Sequence, residues 1–293
     1  MRIVSLLPSA TEIVAALGHL AELVGRSEEC DYPSEVKQLP VVMRAKTHDA
    51  DRPSAAIDAR VREERATGAS LYTLDLDTLK HLRPDLIATQ DLCRVCSVTD
   101  EEVTSACAQA GLSPRIVSLN PTRLTEVWDS VDALGAAIGD PDTAGKVTAS
   151  LRKESSAEDP KTRRSVGVVE WLDPPILAGL WAADQVEAAG GISLGPGGGA
   201  RAQRTTWPEL FAQQPDLLVV SPCSFSISRT RGELKGAELG ELLSRARVPL
   251  GIWLADEAYF SRPGPRLANG VALLRALLRS RSPPTAMPYL RWS

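Results

Sequence analysis

Short apolar runs alternate with helix-patterned segments through residues 1–121 and again through 157–293, with only helical periodicity between them. Parallel strands need a crossover, usually a helix, so this alternation points to mostly parallel α/β sheets covered by helices. Ile3–Leu7 reads as a buried strand closed by Pro8, and Ser9 and Glu12 have capping-box spacing for the helix that Gly18 ends. Leu23–Gly25, Leu71–Leu74, Leu86–Gln90 and Ile116–Leu119 read as further strands, with helices over Asp75–Leu82 and Thr99–Ala110. Residues 44–69 are apolar-poor and read as an exposed excursion carrying a helix over Ser54–Thr67.

Over 122–156, Leu124, Val127, Val131, Leu134, Ile138, Val147 and Leu151 keep a helical period that Asp140-Pro141 interrupts, which predicts long helical structure bridging two halves. Alternation then resumes, with strands over Val166–Glu170, Asp216–Ser221 and Gly251–Ala255 and a closing helix over Asn269–Arg279. Pro84-Asp85-Leu86-Ile87 and Pro215-Asp216-Leu217-Leu218 echo one another, each entering an apolar strand that leads to a Cys-bearing loop. In open α/β sheets ligands gather at such loops, beyond the carboxyl ends of the strands.

Several function classes are disfavoured. With 33 basic against 37 acidic side chains and a net charge of −4, the chain lacks the basic excess of a nucleic-acid binder. No apolar run reaches the roughly 18 residues of a spanning helix, so no membrane insertion is expected. A strand pattern starting at residue 2 leaves no room for a secretory signal, which predicts a cytoplasmic protein, or a periplasmic one if the native start is longer. Gly190-Gly191 and Gly195-Pro196-Gly197-Gly198-Gly199 fit neither a Walker loop nor a dinucleotide fingerprint.

The five Cys are odd in number, so they cannot all pair within the chain. Cys93-Arg94-Val95-Cys96 brings two thiols to one loop, and Cys30 lies in another loop after a strand. Direct zinc binding through Cys30, Cys93 and Cys96, with Cys223 and His48 as additional candidate ligands, is one reading, and thiol–disulfide chemistry at Cys93/Cys96 is another. Plain packing is the third, and it is preferred for Cys107, which sits within a helix. His19 and His81 lie on or beside helices away from these loops, so a Cys/His hydrolase has little behind it. Trp171 and Trp181 flank Pro174-Pro175 and suit the flat face of a large ligand, while Trp128, Trp207 and Trp253 read as packing. Phe260 and Arg262 read as a ligand rim, with pairing to an acidic group at the lobe edge an equal reading for Arg262, and Arg266 reads as structural.

A family resemblance rests on specific residues. Arg2-Ile3-Val4-Ser5-Leu6-Leu7-Pro8-Ser9-Ala10-Thr11-Glu12 and Glu29-Cys30-Asp31-Tyr32-Pro33 resemble the substrate-binding proteins of vitamin B12 and iron-siderophore importers, the helical-backbone metal receptors. Thr89-Gln90-Asp91-Leu92-Cys93-Arg94-Val95-Cys96 and Ser261-Arg262-Pro263-Gly264-Pro265-Arg266 resemble the signal-less, Cys-bearing, cobalamin-binding-like branch. The resemblance runs nearly end to end. It implies an α/β fold of two lobes, 1–121 and 157–293, joined by a single long backbone helix over 122–156, with the ligand between the lobes and little hinge motion. It further implies a non-catalytic receptor for a metal chelate, most closely a corrinoid, with an ABC-transporter membrane component as partner and no required cofactor. Tyr32, Trp171, Trp181, Phe225 and Phe260 would then offer apolar faces, and Glu29, Gln90, Glu170 and Arg262 would fix orientation. Two departures stand out: the branch has His, and Pro-Glu soon after, where this chain has Leu180 and Ala183-Asp184, and it has Gly where this chain has Ser224.

Overall fold

The fold is described from a computed structural model that covers residues 1–46, 52–67, 70–91, 98–157, 164–280 and 287–292. The chain divides into two compact units, one of Met1–Arg52, Ala56–Pro121 and Glu126–Ser150, the other of Pro53–Ala55, Thr122–Thr125 and Leu151–Ser293. Each unit is built on one sheet, as an α/β protein with mostly parallel central strands.

In the first unit the strands are β1 (Ile3–Ser5), β2 (Leu23–Ser27), β3 (Val41–Ala45), β4 (Tyr72–Leu74), β5 (Leu86–Thr89) and β6 (Arg115–Ser118), in the order β4-β3-β2-β1-β5-β6. Every pairing is parallel except that of edge strand β4 with β3. In the second unit they are β7 (Ser165–Leu172), β8 (Pro175–Leu177), β9 (Ile192–Ser193), β10 (Gln203–Arg204), β11 (Leu217–Val220), β12 (Ile252–Ala255) and β13 (Tyr289–Arg291). Their order is β10-β8-β7-β11-β12-β13, with β9 beside β7. Strands β7, β11 and β12 are mutually parallel, and β8 and β13 flank them antiparallel.

The Pro-Asp echo is one local structure built twice. Helix Leu76–Leu82 runs into Arg83 at φ 44, and helix Trp207–Ala212 leads to Gln214 at φ 53, so a left-handed residue turns the chain before each proline. Asp85 Oδ2 then accepts from the Arg2 amide at 2.7 Å, and Asp216 Oδ2 from the Ser165 amide at 2.8 Å. The aspartate amides return bonds to the Arg2 and Ser165 carbonyls, at 2.8 and 3.0 Å. Each carboxylate thereby ties the start of the next strand to the start of the sheet's first one. Burial opposes ionisation of Asp216, but bonds from Ser165 and Arg164 hold its carboxyl below the usual range.

Two sequence expectations are corrected locally. The Ser9/Glu12 capping box does not form: helix Pro8–Ala16 has Pro8 in its first turn and Leu7 at the cap, which leaves Ser9 and Glu12 inside the helix and buried. The segment expected to hold a single long backbone helix holds two, Leu124–Ile138 and Pro141–Glu154. Gly139 stands between them at φ 96, a left-handed conformation that ends the first helix, and Pro141 starts the second. They fold back on each other: a Cβ on Gly135 would stand 2.3 Å from that of Ala144, and Thr148 Oγ1 donates to Asp132 at 2.8 Å.

The first unit's core joins Val4, Ile87, Leu79, Leu82, Val103 and Cys107, each such aliphatic chain contributing about 1.5–3 kcal/mol of burial. Cys107 therefore packs as a small apolar residue, and desolvation raises its thiol pKa.

His19 bridges two carboxylates, Nδ1 to Glu22 at 2.7 Å and Nε2 to Asp140 at 3.2 Å. Both ring nitrogens face acceptors, so the arrangement is satisfied only by the imidazolium. The bonds His19 donates to Glu22 and then to Asp140 raise its pKa above 6.5. A raised folded-state pKa stabilises fully below pH 6.5 and loses that contribution as pH rises through the raised value. Thermal unfolding of the wild type should therefore lose about 0.5–1 kcal/mol, or about 2 °C, between pH 6 and pH 9 relative to His19→Gln, the two partly exposed ion pairs setting the scale. A difference that stays constant across that range would refute the bridge.

Candidate ligand-binding site

Because β7, β11 and β12 run parallel, their carboxyl ends come together at one edge of the second unit's sheet. The last residues of β7 itself include Glu170 and Trp171, the loop after β11 carries Ser221-Pro222-Cys223-Ser224-Phe225, and the loop after β12 carries Asp256 and Glu257. Backbone bonds lace them together: the Ser221 amide donates to Val169 O at 2.8 Å, and the Cys223 amide to Glu170 O at 3.2 Å. Ser221 Oγ donates to Asp256 O at 3.1 Å, and Ser261 Oγ to Ser221 O at 3.3 Å.

On this frame the half-buried Trp171 meets Phe225 edge-on, with ring centroids 5.3 Å apart and planes at 61°. The Arg229 guanidinium lies 3.6 Å from the Phe225 centroid, a cation–π stack. Ser226 accepts from the Arg229 amide and so starts helix Ile227–Leu234, which places Arg229 one turn beyond Phe225. Glu257 uses both oxygens: one accepts from the Ser224 amide, the other pairs with the Arg262 guanidinium. Arg262 is 10% exposed, so this pair lies in a far drier setting than a surface ion pair. The surface combines an aromatic face, a stacked cation and a fixed carboxylate–guanidinium pair. It can cover the flat face of a large ring and hydrogen-bond its periphery.

Not every candidate residue sits on that surface. Phe225 is 2% exposed and supports Trp171 and Arg229 from beneath. Trp181 and Phe260 are buried too, joined by a bond from Trp181 Nε1 to Phe260 O at 2.6 Å, and their rings are used in packing. Arg229 and Glu257 were not foreseen. A signal existed only for Arg229, four residues beyond an aromatic and three beyond a capping serine.

In the first unit, Glu29, Cys30 and Tyr32 follow β2, and Gln90 follows β5, again at carboxyl ends. Tyr32 is 50% exposed beside a cis bond to Pro33, and Gln90 is buried. Arg26 shapes this loop by donating to the carbonyls of Ser27, Glu28, Cys30 and Lys37 at 3.0–3.3 Å. Cys30 is 1% exposed, and its sulfur accepts from Thr11 Oγ1 at 3.1 Å. Cys93, Cys96 and His48 lie outside the described residues. Among the described residues no three His, Cys, Asp or Glu side chains converge as a metal site.

The departures from the branch pattern at Leu180 and Ser224 fall on left-handed backbone, at φ 54 and φ 60. Left-handed geometry costs an L-residue about 1–2 kcal/mol, which glycine avoids, partly offset by glycine's greater unfolded-state entropy. Ser224→Gly keeps the amide that Glu257 binds and should stabilise the chain by about 0.5–1 kcal/mol in urea unfolding. A destabilised variant would contradict the assignment.

No family model and no curated protein matches the chain. Solved structures do. A periplasmic heme-binding protein from Pseudomonas aeruginosa is 20% identical, over 97% of this chain and 95% of that one, with a TM-score of 0.70. The periplasmic vitamin B12-binding protein of Vibrio cholerae is 20% identical over 95% and 96%, with a TM-score of 0.60. An ABC-type Fe3+-hydroxamate transport system from Saccharomonospora viridis is 16% identical over 94% and 92%, with a TM-score of 0.64. The fold is therefore shared along nearly the whole chain with these binding and transport proteins. The expected cytoplasmic location is corrected by the same finding, because the heme- and B12-binding matches are periplasmic proteins. The strand pattern at residue 2 marks β1 and is no guide to compartment. No described helix is long and apolar enough to cross a membrane.

Proposed function

We propose, on the premise that this chain has the fold of the helical-backbone substrate-binding proteins, that it is a non-catalytic receptor for a metal chelate, a corrinoid by preference. The observation that carries the reading is the Trp171–Phe225–Arg229 stack beside the Glu257–Arg262 pair, at the carboxyl ends of three parallel strands. A broad macrocycle presents an apolar face to Trp171 and polar side arms to Arg229, Glu170 and Arg262. Corrinoid is favoured by the resemblance to the cobalamin-binding-like branch; leucine at position 180, where that branch has His, leaves no side chain there to coordinate the metal. Such a receptor works outside the membrane and hands its cargo to an ABC-transporter membrane component. Direct zinc binding through Cys30, Cys93 and Cys96 is the competing reading.

Equilibrium dialysis of reduced protein against cyanocobalamin, hemin, a ferric hydroxamate and Zn²⁺ separates these readings. One chelate retained at about micromolar Kd, worth about −8 kcal/mol, with zinc passing through, is the expected outcome. Stoichiometric zinc with no chelate retained would replace the receptor reading by the metal-ion one.

A further inference from the structure

The Arg-Pro-Gly-Pro-Arg segment near the carboxyl-end surface hangs from one short helix, Ala182–Ala188, and the residue before it. Trp181 and Gln185 are four residues apart, so they share one face of that helical turn. Trp181 Nε1 donates to Phe260 O at 2.6 Å. Gln185 Nε2 donates to Tyr259 O at 2.9 Å and to Leu267 O at 2.9 Å. The two side chains thus grip the loop at both ends, before Ser261 and after Arg266. Between the grips one bond reaches another loop, from Ser261 Oγ to Ser221 O at 3.3 Å, and others are local: the Ser261 amide reaches Glu257 O at 2.7 Å, the Gly264 amide Arg262 O at 2.7 Å, and Arg262 pairs with Glu257.

Gln185 is wholly buried, and its Oε1 has no hydrogen-bond partner among the described residues. A residue kept only to fill that space would be better as leucine or methionine, because an unpaired buried amide oxygen is a penalty apolar atoms do not carry. What glutamine adds is a pair of donors on one nitrogen, aimed at two backbone carbonyls on either side of the loop, that of Tyr259 before it and that of Leu267 in the first turn of helix Leu267–Leu278. We propose that Gln185 and Trp181 are positioning residues, holding the Tyr259–Leu267 loop at the height where Arg262 and Glu257 meet the bound chelate. This rests on the receptor reading given above. It also gives Trp181 a role as a hydrogen-bond donor to backbone in place of a ligand-facing ring.

The test compares wild type with Gln185→Met, which keeps the volume and removes both donors, and Trp181→Phe, which keeps an aromatic ring and removes one. Two readouts are taken: amide hydrogen exchange in ligand-free protein, and affinity for cyanocobalamin and hemin. Exchange at Ser261, Gly264 and Leu267 should rise at least tenfold in Gln185→Met, with Val166–Val169 and Leu217–Val220 unchanged, and affinity should fall about tenfold. Trp181→Phe should shift both in the same direction by a smaller factor. Exchange that rises evenly over the unit, or variants that bind as tightly as wild type, would overturn the proposal. Should wild type bind neither probe, the receptor reading falls, and the exchange pattern alone then decides whether the loop hangs from these side chains.

Discussion

Gly270→Ala is expected to destabilise the chain by about 3 kcal/mol, although alanine is the better helix former by about 1 kcal/mol. Gly270 lies within helix Leu267–Leu278 and is buried. A Cβ there would stand 2.1 Å from Tyr259 O and 2.6 Å from Gln185 Nε2. The carbonyl is backbone, held by the same Gln185 amide, so it cannot swing aside as the end of a long side chain would. Helix propensity is the smaller effect and loses. Urea unfolding should show a lower midpoint with an unchanged slope, and the melting temperature should fall by about 6–12 °C. A variant as stable as wild type would mean that the helix does not press on the Tyr259 carbonyl.

Glu257→Ala is the second large effect, at about 2–4 kcal/mol. It takes the carboxylate away from a guanidinium that is only 10% exposed, and it takes the acceptor from the Ser224 amide as well. Removing one partner of a largely buried ion pair costs more than the pair itself contributes, because the remaining charge keeps its desolvation penalty. Glu257→Gln keeps the shape and one acceptor and should cost about half as much. The double variant Glu257→Ala/Arg262→Ala should recover part of the loss, which a double-mutant cycle in urea measures. Strictly additive losses would show that the two side chains do not act together.

Much of the architecture was legible because crossovers leave a strong signal. Helix Ser54–Thr67 and strands β5, β11 and β12 stand where the apolar pattern and the Pro-Asp turns put them. What went unread has a common physical reason. Strands β8 and β13 join their sheet antiparallel, so no crossover helix announces them, and β3 runs into an apolar-poor stretch that hid it. Helix Ile227–Leu234 carries few apolar residues and depends on its Ser226 cap more than on periodicity. The break at Gly139 could be read as an interruption, but not as a reversal of direction, since that depends on Gly135 and Ala144 meeting. The same holds for the site. Trp171, Phe225 and Arg262 were within reach as residue types at strand ends, and Glu257 was not. Which of them face outward depends on contacts between segments about 30 to 90 residues apart, and these put Phe225, Trp181 and Phe260 beneath the surface.

The most direct test of the receptor account is a titration of wild type and Trp171→Ala with cyanocobalamin, followed by isothermal calorimetry. Saturable one-to-one binding to wild type at about micromolar Kd or tighter, weakened at least about tenfold (1.4 kcal/mol) in the variant, is the predicted result. Equal affinity in the two proteins, or no heat from wild type up to about 1 mM ligand, the weakest binding a receptor of this kind could use, would contradict it.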